Sequence, residues 1–461
     1  MTPRLHTAIL AGKITSRLSK ALKKGGGTAA PGLVAERIDP GIIHKLTRHL
    51  PQGSIIISGT NGKTTTSRLL SHILKSAHLK PIHNRSGSNL NRGLASVLLT
   101  EATLAGKIGA DIGLFEVDEA ALPSAALQIK PRVLILLNLF RDQLDRHFEV
   151  DQVLLRWRQV LSNLPATTTI CLNADDPRLV KLGSYAAGPV IYFGINDQAA
   201  KLDEMPKSAD SLGCPDCNSQ LVYEDIYLGH QGKYFCSNCQ LKRPELHLAA
   251  GKIKLQSMRG VGFELATPKG RLAVNLGVPG FYNVYNALAA AAGAVALGFS
   301  LTQIQSGLEE FKAVFGRIER IRVGDKEILL TLVKNPTGFN EVLRMLGGTQ
   351  HEHLLLALND LLADGTDVSW IWDVDLEKLA DQKTPLTVSG LRAWDLAVRL
   401  KYAGINTNLL RVESDLATAL REALDNTPSG QTLYILPTYT AMLKIREVLT
   451  EMGYVGEFWK E

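Results

Sequence analysis

Two periods of apolar residues alternate along the chain. Ser54–Ser58 is a short β-branched run, and similar runs recur at Ile112–Val117, Val133–Leu137, Thr169–Leu172 and Val190–Phe193. Each has the length and composition of a buried strand. A helical pattern runs from Lys63 to about Ala77, and further helical stretches lie between several of the strands. Strands that alternate with helices predict an α/β fold with a mainly parallel sheet.

Residues 203–246 interrupt this pattern with polar turn residues and paired cysteines, as an inserted module would. Strand-type runs resume at Ile253–Leu255 and Leu272–Leu276, followed by helices from about Tyr282 to Leu297 and from Thr302 to Phe311. After Phe315-Gly316-Arg317 the alternation restarts. Ile328–Val333, Leu354–Leu358, Leu386–Val388 and Leu433–Leu436 read as strands; Gly338–Leu346, Ala393–Ala403, Asp415–Leu424 and Thr440–Met452 read as helices. The expected organisation is a basic helical segment over 1–50, an α/β domain over 51–315 with an insert at 203–246, and a Rossmann-like α/β domain over 316–461. That agrees with a length of 461 residues at roughly 100–200 residues per domain.

Composition narrows the class. Hydrophobic residues make up 45% and charged residues 21%, which argues against wholesale disorder. Apolar runs such as Val133–Leu137 are far too short to span a bilayer. Lys13, Arg17 and Lys20 break the N-terminal apolar stretch, so no signal-peptide pattern is present and a cytoplasmic location is expected. The net charge of +6 is mild and does not by itself point to nucleic acid. Its distribution is more telling. Arg4, Lys13, Arg17, Lys20, Lys23 and Lys24 fall within residues 4–24 with no acidic residue among them, interleaved with Leu5, Ile9, Leu10, Ile14 and Leu18. That pattern fits a solvated amphipathic helix packed on the body, or a helix that meets anionic headgroups at the inner face of a membrane.

Four of the five cysteines form the pairs Cys214–Cys217 and Cys236–Cys239, eighteen residues apart. This C-x2-C-x18-C-x2-C spacing is that of a zinc ribbon, in which two tight turns aim four thiolates at one point. Two disulfides are the other reading, and a cytosolic chain disfavours them. With all four positions filled by protein, the zinc would be structural. Cys171, in an apolar run, reads as core.

Ser58-Gly59-Thr60-Asn61-Gly62-Lys63-Thr64-Thr65 joins the first strand to a helix. Glycines let backbone N–H groups approach phosphate, and the helix N-terminus adds positive potential. Lys63 is placed to reach the β- and γ-phosphates, and the Thr64 hydroxyl to bind Mg²⁺. Only Gly59 precedes Gly62, so the match is to the shorter G-T-N-G-K-T form. A glycine turn with a chance lysine is the alternative. Nucleotide-bound Mg²⁺ also needs a carboxylate at a neighbouring strand end. Phe115–Glu119 supplies Glu116 as first choice and Asp118 as second, unless the run is merely a solvated acidic turn.

The loop, this acid, Asn138-Leu-Phe-Arg-Asp142-Gln-Leu-Asp145, Asn173-Ala-Asp-Asp-Pro177 and Asn283-Val-Tyr-Asn286 together resemble the Mur ligase superfamily. The cysteine insert and Asn359-Asp-Leu-Leu-Ala-Asp364-Gly-Thr-Asp367-Val-Ser-Trp resemble one branch of it, the ligase subunits that amidate lipid II with a GatD-type glutaminase. The resemblance implies a P-loop middle domain of Mur ligase type with an inserted zinc ribbon, and a C-terminal α/β domain that contacts the glutaminase. It implies ATP-dependent phosphorylation of the α-carboxyl of D-glutamate in the lipid II stem peptide, followed by attack of ammonia to give D-isoglutamine. It also implies that Gly59, Thr60, Asn61, Gly62, Lys63, Thr64 and Thr65 hold the nucleotide, with Asn283 and Asn286 near its base, Asp175 or Asp176 near its ribose and Arg317 at its phosphates. From spacing alone, these asparagines are equally helix caps, Asp175-Asp176-Pro177 a turn, and Arg317 a surface ion pair.

Gln143 stands where amino-acid-adding relatives commonly carry a histidine for a second metal. Asp367 matches an aspartate proposed to complete the partner's Cys–His pair, since a carboxylate orients and stabilises the imidazolium. From the residues alone, Asp360, Asp364 and Asp367 are equally turn-formers around Gly365. Trp370 and Trp372 read as interface or core. The nearest alternative function is an amino-acid-adding Mur or folylpolyglutamate-type ligase. A nucleic-acid module is disfavoured, because Asp216, Glu224 and Asp225 dilute Lys233 around the cysteines. A nucleotide-gated scaffold is disfavoured by intact Lys63, Thr64 and Glu116.

Overall fold

A computed structural model describes residues 2–21, 29–84, 88–140, 147–209, 212–256, 260–311, 319–346 and 353–456. They fall into two compact units. One is drawn from within Met1–Phe140, Phe148–Asp203 and Ser211–Phe311, the other from within Lys312–Glu461 with Arg141–His147 and Glu204–Asp210.

The first unit begins with three helices, α1 (Pro3–Ala21), α2 (Ala30–Ile38) and α3 (Ile42–Thr47). An alternating stretch follows: β1 (Ser54–Ser58), α4 (Lys63–Ser76), β2 (Pro81–His83), α5 (Asn91–Glu101), β3 (Ile112–Glu116), α6 (Leu122–Ile129) and β4 (Val133–Leu136). It continues with α7 (His147–Asn163), β5 (Thr169–Asn173), α8 (Pro177–Gly183) and β6 (Val190–Ile195). A hairpin, β7 (Leu221–Leu228) and β8 (Gln231–Cys236), precedes β9 (Leu248–Leu255), β10 (Val261–Thr267), β11 (Gly270–Leu276), α9 (Tyr282–Ala296) and α10 (Leu301–Glu309).

The nine-stranded sheet runs β11-β10-β9-β6-β5-β4-β1-β3-β2. Neighbours from β2 to β9 are parallel, and β9, β10 and β11 are antiparallel. β1 explains the layering. Its three isoleucines are fully buried, because helices cover both faces of a parallel sheet. Ile55 and Ile57 point into one core with α4 and α9; Ile56 points into the other, with α1, α3 and α5. Six alanines of α9 between Ala287 and Ala294 are fully buried, and their small side chains let that helix lie close to β4–β6 and α4. α10 starts on a capping box between Ser300 and Gln303.

The strand predictions were shortest where small residues carry the pairing. β9 starts at Leu248, not Ile253, since Leu248–Ala250 pair with Phe193–Ile195. β10, with Gly262 and Glu264, gave no apolar run and was not predicted. Cys171 lies buried in β5, where burial pushes its thiol up.

The second unit carries β12 (Glu319–Val323), β13 (Lys326–Leu330), α11 (Pro336–Leu346), β14 (His353–Ala357), β15 (Leu386–Ser389), α12 (Ala393–Tyr402), β16 (Leu410–Val412), α13 (Leu416–Asn426), β17 (Thr432–Pro437) and α14 (Tyr439–Glu451). Its six strands run β12-β13-β17-β14-β15-β16, parallel except for β12 on β13. β13 ends at Leu330, short of the predicted Val333. Asp415 caps α13 by accepting the Thr418 N–H at 2.8 Å.

Candidate active site and metal centre

β1 lies between β3 and β4, and the carboxyl ends of parallel strands are where such sheets bind ligands. The loop Gly59–Gly62 leaves β1 there and feeds α4. Gly62 is the N-cap of α4 with φ +91°, a left-handed backbone that favours glycine, and a Cβ on it would lie 2.1 Å from Asn286 Oδ1. Gly59, at φ +139°, has Leu137 and Asn138 within 3.0 Å of where its Cβ would be. The loop is thus a backbone cradle with its N–H groups at a helix start, the chemistry a phosphate chain needs.

Side chains of the neighbouring strand ends hold that cradle. Asn61 N–H donates to Asn138 Oδ1 at 2.8 Å, and Asn138 Nδ2 returns a bond to Asn61 O at 3.0 Å. Thr60 Oγ1 accepts the Phe140 N–H at 3.0 Å and donates to Phe140 O at 3.1 Å. Lys63 Nζ lies over the loop, 2.5 Å from Gly59 O and 3.0 Å from Glu119 Oε2. The Thr64 hydroxyl donates to Glu116 Oε1 at 2.9 Å. Thr65 is buried in the first turn of α4. Hydroxyl and carboxylate side by side at the loop form an oxygen donor set suited to Mg²⁺. Asp118 instead accepts the Ala120 N–H at 3.0 Å and shapes a turn. Asn84 fixes the backbone of Glu116, donating to its carbonyl at 2.7 Å and accepting its N–H at 2.8 Å.

Asn283 and Asn286 are buried and turned to protein. Asn286 Nδ2 donates to Asn283 Oδ1 at 2.9 Å, and Asn286 Oδ1 accepts from Thr66 at 3.3 Å. They brace the loop from α9. Asp175 and Asp176, which the resemblance implied near the ribose, are both fully buried and engaged inside the protein. Asp175 pairs with Arg243 at 2.8 Å and accepts from Tyr285 at 2.7 Å and from the Ile195 N–H at 2.9 Å. Burial pushes its carboxyl up, against the pull of Arg243. Asp176 caps α8 through the Arg178 N–H and accepts the Leu139 N–H, both at 3.0 Å. Burial opposes its charge, but His230 at 3.5 Å, Arg178 and the Leu139 N–H outweigh it and hold the carboxyl below the ordinary aspartate value. Arg317 and Gln143 lie outside the described residues.

The four paired cysteines converge around the β7–β8 hairpin. Their sulfurs lie within 4.8 Å of one another, with Cys214–Cys239 at 3.5 Å and Cys217–Cys236 at 3.4 Å. All are reduced. A tetrahedral zinc with bonds of about 2.3 Å sets sulfurs roughly 3.8 Å apart, so the cluster fits that ion. Hydrogen bonds from Ser219 and Asn238 lower Cys217 to about 6, whereas burial pushes Cys214 up. At Cys239 the Leu241 N–H favours the thiolate, yet burial and the neighbouring thiols push it up to about 12. A cation at the centre removes that conflict. The hairpin also reaches the loop: the His230 ring lies 4.8 Å from that of Phe140.

In the second unit the segment after β14 is built at the carboxyl edge of the sheet. Asp364 is buried and accepts the Thr440 N–H at 2.8 Å and its hydroxyl; Asp360 pairs with Arg392 at 3.0 Å. Both are structural. Asp367 is half-buried, and its Oδ1 accepts the Ser369 N–H at 2.8 Å and the Ser369 hydroxyl at 2.6 Å. Trp370 is core, beside Phe339, whereas Trp372 is exposed, 5.7 Å from the Tyr402 ring.

Glu119, Asn84, His230 and Arg243 were not singled out from the sequence. Only Glu119 had a signal, the acid run that follows β3.

This fold and loop are those of a Mur ligase, an ATP- and Mg²⁺-using class. Residues 57–294 match the Mur ligase middle domain family. The fold is similar to that of a pseudomurein peptide ligase type C from Methanothermus fervidus, with a TM-score of 0.68 at 22% identity, covering 88% of this chain and 80% of that one. Residues 332–442 match the MurT ligase C-terminal family. Along its length the chain is 34% identical to the lipid II isoglutaminyl synthase (glutamine-hydrolyzing) subunit MurT of Streptococcus pneumoniae R6, over 99% of both chains. It is also 34% identical to the MurT subunit of Staphylococcus aureus COL, over 98% of this chain and 100% of that one. The chain belongs to the MurT family of Mur ligases.

Proposed function

We propose that this chain is the ligase subunit of a lipid II isoglutaminyl synthase. The observation that carries the reading is the full-length likeness to two MurT subunits, with Lys63, Thr64 and Glu116 assembled at one loop. The loop N–H groups and Lys63 bind the ATP phosphates. Thr64 and Glu116 would hold Mg²⁺, which would neutralise charge at the phosphates. An α-carboxylate oxygen of D-glutamate in the lipid II stem peptide attacks the γ-phosphorus, and the bond to the bridging oxygen breaks to release ADP. Ammonia then attacks the acyl carbon and phosphate leaves, taking one ammonia proton. The product is D-isoglutamine. Phosphorylation is needed because a free carboxylate would have to expel oxide.

Ammonia comes from a partner glutaminase of GatD type, whose cysteine and histidine Asp367 completes. The Ser369 bonds fix the Asp367 carboxylate, as an imidazole-orienting group requires. The docking face is α12 and its surroundings. Trp394, Val398 and Tyr402, four residues apart, are exposed on one face, with Trp372, Leu391 and Leu362 also exposed. Arg399 lies 5.4 Å from the Trp372 ring. Exposed Trp and Tyr are side chains that anchor protein interfaces, and the buried Arg399 guanidinium supports the Trp372 ring from beneath. Zinc at Cys214, Cys217, Cys236 and Cys239 is structural.

The test is co-purification with the glutaminase, then glutamine- and ATP-dependent amidation of lipid II. Product is expected with glutamine, and also with ammonium alone. No amidated product from ATP, Mg²⁺, ammonium and lipid II with the partner present would overturn the assignment.

A further inference from the structure

α1 is seated on the first unit through Leu5, Ala8, Ile9 and Gly12, all buried, the last beside Leu99 of α5. A helix packed in this way should present polar residues outward. α1 instead presents Leu10, Ile14 and Leu18, spaced by four residues and 42%, 48% and 58% exposed. This second stripe lies opposite the first and is about 12 Å long. Leu104 is exposed next to it, its carbonyl 3.2 Å from the His6 ring.

The charged residues of α1 itself are all basic. Arg17 is exposed and Lys13 half-buried, each one residue before a stripe position. The sequence holds Arg4, Lys13, Arg17, Lys20, Lys23 and Lys24 before its first acidic residue, Glu36. An apolar ridge flanked by Lys13 and Arg17 is complementary to an anionic bilayer surface: Leu10, Ile14 and Leu18 enter the acyl boundary while Lys and Arg meet the headgroups. No helix among the described residues is long and apolar enough to cross a membrane, so the contact would be in the surface plane.

We propose that the outward stripe Leu10–Ile14–Leu18 of α1, with Lys13 and Arg17, is a docking surface for an anionic lipid bilayer. This does not depend on the amidation reading. It would set the chain at the surface where a lipid-borne acceptor is found.

The experiment is co-sedimentation of the full chain with vesicles of phosphatidylcholine alone or mixed with phosphatidylglycerol. Binding is expected to the mixed vesicles and not to phosphatidylcholine, and to weaken by about tenfold or more between 50 and 500 mM salt. The triple variant Leu10→Gln/Ile14→Gln/Leu18→Gln should lower vesicle affinity at least about thirtyfold with an unchanged melting temperature, because all three positions face outward. Lys13→Glu/Arg17→Glu should act in the same direction. No binding of the wild-type chain to mixed vesicles, or undiminished binding by the triple variant, overturns the proposal. A wild-type dimer that the triple variant splits, with no vesicle binding, also overturns it and assigns the stripe to a second copy.

Discussion

His230→Ala tests whether the cysteine-bearing hairpin holds the Gly59–Gly62 loop in shape. His230 comes from the turn between β7 and β8 and is fully buried, against Phe140 on one side and 3.5 Å from Asp176 on the other. Asp176 in turn accepts the Leu139 N–H, and Phe140 exchanges two hydrogen bonds with Thr60. Removing the ring opens a void of about 65 Å³, which at about 24 cal/mol per Å³ costs roughly 1.5 kcal/mol. Weakening a buried charge contact at Asp176 adds about 1 kcal/mol more, since that contact is longer than a made hydrogen bond. The sum of about 2.5 kcal/mol corresponds to roughly 70-fold if all of it falls on the loop. A ten- to seventyfold loss in affinity for a fluorescent ADP analogue is therefore expected. His230→Phe, which keeps the ring contact with Phe140, should recover more than half of the lost binding energy. Bound zinc, read by metal analysis, should stay at the wild-type level in both variants, because the cysteines are untouched. An alanine variant with wild-type nucleotide affinity and unchanged amide exchange at residues 137–140 would refute the coupling.

Three further outcomes are expected. Lys63→Ala should lower ATP turnover by about a hundredfold or more with the melting temperature retained, as removal of one charge-stabilising donor does; phosphate release at the wild-type rate would remove Lys63 from the site. Asp367→Asn should reduce glutaminase activity of the complex at least about tenfold while ATP binding and ammonium-driven amidation survive; an unchanged glutaminase rate would end the shared-triad reading. Burial would raise the Glu377 carboxyl, but Lys207 and Arg399 pull it from 4.5 down to about 2. A lowered carboxyl stabilises the fold above its ordinary value and loses that effect as pH falls through the folded one. The gap in melting temperature between wild type and Glu377→Gln should therefore be widest at pH 7 and close towards pH 2, and a gap independent of pH would contradict it.

What the sequence reveals of the site depends on whether the chemistry is contiguous. The loop Gly59–Thr65 and the cysteine pairs are legible, because each needs fixed residue types at fixed spacing on one turn. Asn84, His230 and Arg243 are not, because each reaches the site from another strand end or from the insert, and no local pattern marks such a reach. Asp175 and Asp176 show the limit from the other side. A motif fixes adjacency but not direction, and burial turned both carboxylates inward. The asparagines of α9 were read from the sequence as a motif, but the close approach of Asn286 to Gly62 has no local signal in it. In the fold, β1 and β4 announced themselves through β-branched runs. β10 did not, since its core residues Val261, Phe263 and Leu265 alternate with Gly262 and Glu264 instead of forming a continuous apolar run.

The ribbon's position in the chain has one more consequence. β6 and β9 are parallel neighbours, and the cysteine hairpin lies in the stretch that joins them. Parallel neighbours cannot be linked by a tight turn; the chain must travel back along the sheet, which takes a dozen or more residues and is usually done by a helix. Here the cysteine-bearing insert makes the return trip. A trimmed version of this protein could not simply be spliced shut at that point: it would need a substitute crossover, and without one the antiparallel edge of the sheet would lose its attachment to the rest.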